Sequence, residues 1–334
     1  MKLRDLGEFE LIQRLTAIAD RFGVAGTPDS APFPLLLPIG DDTAAWRTSA
    51  ATELATTDTV VEGIHFTRET IPWEDLGWKV VAANISDIAS MGGTPLYALV
   101  TLGFPASTSV EDVESLYTGI ARICEEYRTA IVGGDIVNSP TTFVTIALNG
   151  YLDGAPLLRS AARPGDIVAA TGFLGSARGG LEMMLHGESV EPEAADYLRH
   201  AHRRPAPRVA AGHVLLGEGV LAAMDISDGL TADLGKMMAA SGLAACVDSW
   251  RVPIHPLLAA AFPDRAIRLA LAGGEDYELL FTAPEAVMQR VLTQLQDAVA
   301  IGSVVEGDAG QVTVRDKNGN QLQDMEAGWD HFRS

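Results

Sequence analysis

Acidic residues beside glycine or small polar residues recur along the chain and are the residues best suited to chemistry. Each group follows a run of apolar, β-type residues. The groups are Gly40-Asp41-Asp42, Thr57-Asp58, Gly133-Gly134-Asp135, Asp225-Ile226-Ser227-Asp228-Gly229 and Gly273-Gly274-Glu275-Asp276. One aspartate beside a glycine usually caps a helix or stabilises a turn. Five such junctions favour a cation-rich site, because carboxylates are hard ligands for Mg²⁺ and glycine lets a phosphate approach backbone N–H groups.

Other phosphate-binding motifs are missing from the sequence. There is no P-loop, and the motif set of a protein kinase is also missing. The Asp225 motif is not an EF-hand loop, because its twelfth position is Lys236 instead of glutamate. The segment from Thr171 to Ser176 can be interpreted in two ways: it either cradles an anion at a helix start or is a closely packed strand–turn–helix connection.

Alternating strand and helix patterns surround these motifs and must position them. Helical periodicity predicts Met1–Phe22, Trp73–Ser90, Val110–Tyr127 and Leu230–Ser241, among other helices. The apolar runs before the acidic motifs, including Arg268–Leu271, are β-type, whereas Thr27–Pro38 reads as a loop. The pattern predicts α/β or α+β layering. Length and a turn-rich stretch near Gly150–Pro164 predict two domains, residues 1–150 and 151–334.

The charge of the chain excludes several classes of partner. Asp and Glu number 44 against 24 Lys and Arg, for a formal net charge of −20. A chain of this charge repels nucleic acid and anionic lipid. It contains no apolar stretch long enough for a membrane span and no signal-peptide pattern at its start. We therefore expect a cytoplasmic protein that binds neither nucleic acid nor membranes, and whose phosphate ligands are neutralised by bound cations.

The ordered motif set resembles the thiamine-monophosphate kinase family over residues 6–332. The resemblance is carried by Leu6–Ile12, Ile39–Ala44, Thr56–Phe66, Asn84–Gly93, Gly133–Asp135, Met224–Leu230, Gly273–Leu279 and Gly328–Phe332. It implies a two-domain fold like that of aminoimidazole-ribonucleotide synthetase, with an N-terminal sheet that dimerises and binds ATP and Mg²⁺. A C-terminal α+β domain would complete the active site. The implied assembly is a homodimer.

The resemblance also implies an activity and a set of site residues. The expected reaction is direct in-line transfer of phosphate from the co-substrate ATP to thiamine monophosphate, with several Mg²⁺ ions. Implied metal ligands are Asp41, Thr56, Thr57, Asp58, Asp87, Asp135, Asp225 and Asp228, of which Asp41, Asp58 and Asp87 would bridge to the reacting phosphates as the catalytic set. Implied ATP contacts are Tyr117, Gly134, Asp135, Arg159 and Ser227. Implied substrate contacts are His65, Glu275 and Trp329.

Two alternatives compete with this interpretation. The first is another ATP-using synthetase of the same superfamily, although neither Cys124 nor Cys246 fits the reactive cysteine of a selenophosphate synthetase. The second is a non-catalytic nucleotide-binding protein. The complete aspartate set disfavours this second alternative, because clustered carboxylates without a cation repel one another.

Overall fold

The computed structural model describes residues 8–26, 33, 35–37, 45–46 and 52–322. Asp41 and Trp329, both predicted site residues, lie outside this part of the chain. The helices within it are α1 (Glu8–Arg21), α2 (Trp73–Ser90), α3 (Val110–Glu126), α4 (Ser176–His186), α5 (Pro192–Arg203), α6 (Val209–Gly217), α7 (Leu230–Ser241), α8 (Pro256–Ala261), α9 (Ala266–Ala272) and α10 (Glu285–Gln294). The strands are β1 (Leu35–Leu37), β2 (Ala45–Trp46), β3 (Thr52–Val61), β4 (Thr94–Phe104), β5 (Ala130–Asn138), β6 (Phe143–Leu152), β7 (Ile167–Thr171), β8 (Ala222–Asp225), β9 (Ala244–Asp248), β10 (Leu279–Ala283), β11 (Ala298–Val305) and β12 (Val312–Arg315).

The chain divides into two compact units. The first contains Met1–Ile88 and Thr94–Ala155, and the second contains Ala89–Gly93 and Pro156–Ser334. The first unit has a four-stranded sheet of order β3-β6-β4-β5, in which only the β4–β5 pair is parallel. No helix among the described residues combines the length and hydrophobicity needed to cross a bilayer.

The two faces of this first sheet differ in burial. Along β6, Val144, Ile146 and Leu148 are buried, whereas the residues between them are only partly covered. Side chains alternate between faces along a strand, so one face is packed and the other is open. We call the first the helix face, because Ile88 of α2 lies against it: a Cβ added to Gly150 would fall 2.8 Å from Ile88 Cγ2. We call the second the open face.

Helices α2 and α3 approach each other backbone to backbone. A Cβ added at Gly77 of α2 would lie 2.0 Å from the carbonyl oxygen of Leu116. One added at Gly119 of α3 would lie 1.9 Å from the carbonyl oxygen of Glu74. Only glycine permits this approach, since any larger side chain would force the helices apart. The contact fixes the two helices that carry Asp87 and Tyr117.

The second unit is a three-layer structure around a six-stranded sheet of order β12-β9-β11-β7-β10-β8. Leu280 on β10 packs with Leu234 and Met238 of α7 on one face of the sheet. Its neighbour Phe281 packs with Met288 and Val291 of α10 on the other. Helices on both faces of a mixed, mostly antiparallel sheet confirm the predicted mixed α/β class.

Three of the helices predicted from periodicity are confirmed nearly residue by residue. Trp73–Ser90 and Leu230–Ser241 have the predicted bounds, and Val110–Tyr127 ends one residue earlier at Glu126. In the described part of Met1–Phe22, the helix spans Glu8–Arg21. The predicted loop Thr27–Pro38 overlaps the predicted β-type run Leu35–Ile39 that precedes Gly40. In the overlap the structure has the short strand β1, so the β-type prediction is confirmed there and the loop prediction is wrong over three residues.

Two strand predictions differ from the structure. Arg268–Leu271 is not a strand but lies in the helix Ala266–Ala272. A short apolar run does not by itself distinguish a buried helix from a strand. This segment is rich in alanine, which has the highest helix propensity, and Ala266 and Ala270 are buried in the helix that it forms. Asp58 and Asp135 were expected after strands, but they lie within β3 and β5, because both strands continue past the acidic residue.

Candidate active site

Three of the predicted metal ligands share the helix face of the first unit. Thr56 Oγ1 donates a hydrogen bond to Asp87 Oδ2 at 2.5 Å, which joins β3 to α2. Asp58 stands two residues further along β3 and therefore points to the same face. It pairs in register with Ile146, whose side chain is buried on that face. Strand β3 and helix α2 together place the carboxylates of Asp58 and Asp87 on one side of the sheet.

The other two predicted ligands in the described part of this unit, Thr57 and Asp135, have side chains on the open face. Asp135 pairs with Thr101 on β4, which pairs with Thr145 on β6. Residues paired across strands share a face, so Asp135 lies opposite to Asp58. The Thr57 hydroxyl donates to the Ile146 carbonyl oxygen at 3.0 Å. The structure therefore groups Thr56, Asp58 and Asp87 but does not bring the Asp135 carboxylate to them.

The predicted nucleotide and substrate contacts in the first unit have distinct environments. Gly134 lies so close to β4 that an added Cβ would fall 1.9 Å from the Val100 carbonyl oxygen. Tyr117 on α3 is buried, and burial raises the pKa of its hydroxyl well above the usual range. It therefore remains a neutral donor or acceptor. The Val61 N–H donates to His65 Nδ1 at 3.1 Å, so this nitrogen carries no proton and the neutral ring is protonated at Nε2.

In the second unit, a turn between β8 and α7 carries three predicted site residues. Asp225 ends β8 and is buried, whereas Ser227 and Asp228 form the turn before α7 begins at Leu230. Asp233 Oδ2 accepts the backbone N–H groups of Ser227 and Asp228 at 3.0 and 2.9 Å. The sequence-based interpretation did not single out Asp233. Its spacing of three residues from Lys236 on one helix is the local signal that could have indicated it.

The segment around Glu275 has a strained backbone. Glu275 and Tyr277 have φ angles of 69° and 51°, which non-glycine residues rarely adopt. Such residues cost about 1–3 kcal/mol each and cluster at functional sites. The Glu275 N–H donates to the Ser227 carbonyl oxygen at 2.8 Å, which fixes the segment beside the Asp225 turn. Within the same unit, Glu275 Oε2 lies 3.5 Å from Nδ1 of the buried His202.

Asp276 decides between the two interpretations of the segment from Thr171 to Ser176. The Gly175 and Ala177 N–H groups, at the start of α4, donate to the Asp276 carboxylate at 2.7 and 3.3 Å. The backbone donors of this helix start are therefore used by a carboxylate of the chain itself, so a closely packed connection is observed. Burial raises the pKa of Asp276 to about 8, although both backbone hydrogen bonds oppose the shift.

An ion pair inside the second unit anchors the residue that follows this segment. Arg208 Nε donates to Glu278 Oε2 at 2.6 Å, and Arg208 Nη2 donates to Oε1 at 2.5 Å. Thr171 Oγ1 also donates to Oε2 at 2.6 Å. Burial raises the pKa of Glu278, and Arg208 opposes that shift. No local pattern could have linked Arg208 to a residue 70 positions away.

Arg159, a predicted nucleotide contact, is exposed in a turn of the second unit. Its backbone carbonyl oxygen accepts a hydrogen bond from Ser241 Oγ at 3.1 Å.

The donor set fits Mg²⁺ only together with other oxygen ligands. Among the described residues, no three His, Cys, Asp or Glu side chains are placed to hold an ion by themselves. Mg²⁺ usually takes one or two carboxylates and completes its shell with water and phosphate oxygens. Asp58 and Asp87 with the Thr56 hydroxyl are a set of this kind, and so is the Asp225–Asp228 turn.

Comparison with known proteins identifies the family. The model of the AIR synthase related protein, N-terminal domain, matches residues 40–152, and that of the C-terminal domain matches residues 163–315. The thiamine-monophosphate kinase of Aquifex aeolicus is 35% identical over 99% of this chain and 100% of its own. This chain belongs to the thiamine-monophosphate kinase family. It is therefore an enzyme of the kinase class.

Solved structures agree with this placement in the thiamine-monophosphate kinase family. One, AaThiL complexed with AMPPCP and TMP, has a TM-score of 0.77, 33% identity and 99% coverage of both chains. The thiamine-monophosphate kinase of Stenotrophomonas maltophilia K279a has a TM-score of 0.80 at 33% identity, covering 95% of this chain and 98% of its own. These likenesses extend over both units of the fold.

The raised pKa of Asp276 predicts a pH dependence of stability. Between the unfolded value of 3.8 and the folded value of about 8, the folded state holds a proton that the unfolded state has lost. This group therefore lowers the free energy of unfolding as pH rises, by at most about 1.4 kcal/mol per pH unit. Asp276→Asn keeps an acceptor oxygen but cannot ionise. We expect the variant to gain stability relative to the wild type from pH 5 to 8, measured by urea unfolding.

The control for this measurement is Asp196→Asn, because Asp196 is exposed on α5. The difference between this variant and the wild type should remain constant across the same pH range. A constant difference for Asp276→Asn as well would show that the carboxyl group is ionised in the folded protein throughout.

Proposed function

We propose that this enzyme transfers the γ-phosphate of ATP directly to thiamine monophosphate, forming thiamine diphosphate. The observation that carries the proposal is the full-length similarity to AaThiL, whose structure was solved with AMPPCP and TMP. The Aquifex aeolicus relative bears the name of the same activity. The motifs around Asp58, Asp87 and Glu275 support the proposal, because they supply carboxylates of the kind that bind metal-bound phosphates and a cationic ring.

The proposed chemistry needs no general base. A phosphate monoester loses its last proton near pH ~6, so the acceptor oxygen is largely ionised at neutral pH. The main barrier is the approach of two polyanions: two unit charges ~4 Å apart repel by roughly 4 kcal/mol at an effective dielectric of 20. Bound Mg²⁺ would supply the neutralising charge and favour in-line attack.

Residues of the first unit would hold some of these ions, and Asp225 and Asp228 of the second unit are the other proposed metal ligands. The Thr56 hydroxyl donates to one oxygen of Asp87, which restricts the rotation of that carboxylate. Asp58 lies on the same face, so both carboxylates can act on one group of phosphates. Asp41 belongs to the proposed set but lies outside the described residues.

Residues of the second unit would recognise the substrate. Glu275 is a suitable partner for a cationic thiazolium or for a donor-rich aminopyrimidine. Its backbone conformation is fixed by the hydrogen bond to Ser227. His65, in the first unit, and Trp329, outside the described residues, are the other proposed contacts.

The experiment that tests the function measures phosphate transfer from ATP in the presence of Mg²⁺. Thiamine monophosphate is the acceptor, thiamine is the control acceptor, and chromatography follows the products. Thiamine diphosphate should form from the monophosphate, and thiamine should give no product. Binding of ATP without product, or transfer to thiamine itself, would overturn the proposal.

Removing one bridging carboxylate should abolish most of the turnover while the fold remains. Asp87→Asn preserves the shape and the acceptor oxygen for Thr56 but removes the negative charge that would bind the cation. We expect kcat to fall by roughly 10²-fold or more. The measurement is the rate of thiamine diphosphate formation at saturating Mg²⁺, together with the circular-dichroism melting curve.

The matched control for Asp87→Asn is Asp153→Asn, in an exposed turn of the same unit. Its rate should equal that of the wild type. A near-normal rate for Asp87→Asn at saturating Mg²⁺ would show that Asp87 does not bridge to the reacting phosphates.

We also propose that the chain forms a homodimer through the open face of the first sheet. Thr59, Thr145 and Thr101 stand side by side there, and Thr145 is partly exposed, like the other open-face residues of β6. Sedimentation should give twice the mass of the chain. Thr145→Arg should give a monomer, whereas Thr141→Arg, at an exposed loop position, should remain dimeric. A monomeric wild type, or a dimeric Thr145→Arg variant, would contradict this assembly.

A further inference from the structure

A single ammonium group in the second unit is shared between two carboxylates. Lys236 Nζ on α7 lies 2.7 Å from Asp233 Oδ1, and it also donates to Asp228 Oδ2. Asp233 is fully buried, whereas the side chain of Asp228 is 29% exposed. Lys236 therefore joins an interior carboxylate to one that solvent and ions can reach.

Asp233, the buried carboxylate, determines the conformation of the Ser227–Asp228 turn. Asp233 Oδ2 accepts the N–H groups of both Ser227 and Asp228, and its other oxygen accepts from Lys236. A buried carboxylate is stable only when its oxygens are bonded and its charge is balanced. Asp233 receives three hydrogen bonds and one positive charge, which together hold the Ser227–Asp228 turn in place.

Lys236 also stands where a cation would bind to Asp228. A Mg²⁺ ion binds carboxylate oxygens at ~2.0–2.1 Å, so it cannot share Asp228 Oδ2 with an ammonium group already in contact with that atom. Two positive charges at that distance also repel each other. The side chain of Lys236 is 44% exposed, so its ammonium group can move into solvent when displaced.

We propose that Lys236 is a built-in counter-ion of Asp228: its ammonium group binds this carboxylate until a divalent cation displaces it. Asp233 is the positioning residue that holds the Ser227–Asp228 turn in the same conformation with and without the cation. The inference rests on the proposed role of Asp228 as a metal ligand. It adds a residue, Lys236, that balances the charge of the cation-free enzyme and competes with the cation for one oxygen.

The test compares cation binding in the wild type and in Lys236→Met. Calorimetry measures binding of Mn²⁺ alone to the full chain without nucleotide. Removing the competing ammonium group should lower the apparent dissociation constant about two- to fivefold, the range expected for loss of a half-exposed ion pair. Lys317→Met is the control, because Lys317 lies in an exposed turn of the same unit. It should bind Mn²⁺ like the wild type.

Thermal unfolding gives a second readout that does not depend on turnover. In EDTA, Lys236→Met should melt below the wild type, because Asp228 and Asp233 then lack a positive partner. Added Mn²⁺ should raise its melting temperature more than it raises that of the wild type. If this variant does not fold, Asp233→Asn with Lys236→Met removes the buried charge as well and retains an acceptor oxygen for the turn. This double variant should show the same tighter binding.

The outcomes separate this inference from the proposed function. Equal Mn²⁺ affinity with and without Lys236, weaker binding in the variant, or no Mn²⁺ binding in either protein would overturn the counter-ion role, even if thiamine diphosphate is formed. A Lys236-dependent affinity in a protein that does not phosphorylate thiamine monophosphate would support the counter-ion role and reject the proposed substrate.

Discussion

Electrostatic repulsion among carboxylates is the constraint on which the rest of this structure depends. The chain has a formal net charge of −20 and collects acidic residues in a few segments beside glycines. Like charges placed close together disfavour the folded state unless hydrogen bonds or cations compensate. Each described acidic motif shows one solution to this problem, and the solutions differ according to how deeply the carboxylate is buried.

Three carboxylates of the second unit are compensated by donors within the protein. Glu278 accepts hydrogen bonds from Nε and Nη2 of Arg208 and from Thr171, and Asp233 accepts them from Lys236 and two backbone N–H groups. Asp276 receives backbone donors at the start of α4, and burial nevertheless raises its pKa to about 8. These groups hold the Glu275 segment and the Asp228 turn, where the proposed substrate and metal contacts lie. These three carboxylates therefore support the segments that carry the proposed functional residues.

Other carboxylates are exposed, and their charge is screened by solvent. Asp58 lies on an exposed stretch of β3, and Asp135 is exposed on the edge strand β5. An exposed carboxylate costs little in the absence of a ligand, because water screens its charge. Such residues are suited to receive an external cation, whereas Asp233 and Glu278 are suited to support the turn and segment beside them. Exposure therefore distinguishes Asp58 and Asp135 from Asp233 and Glu278, which residue type alone does not.

The sequence by itself determined the family, the kinase class and the helices that carry or follow the motifs, such as Trp73–Ser90 and Leu230–Ser241. These features are local: helical periodicity and ordered motifs can be read within a few turns of chain. Only the tertiary structure decided that Asp58 and Asp135 lie on opposite faces of a sheet, that Asp276 fills the start of α4, and that Arg208 reaches Glu278. These arrangements depend on strand register and on contacts between residues tens of positions apart, and neither leaves a periodic signal in the sequence. The run Arg268–Leu271 shows the same limit at short range, because a short apolar run does not by itself distinguish a buried helix from a strand.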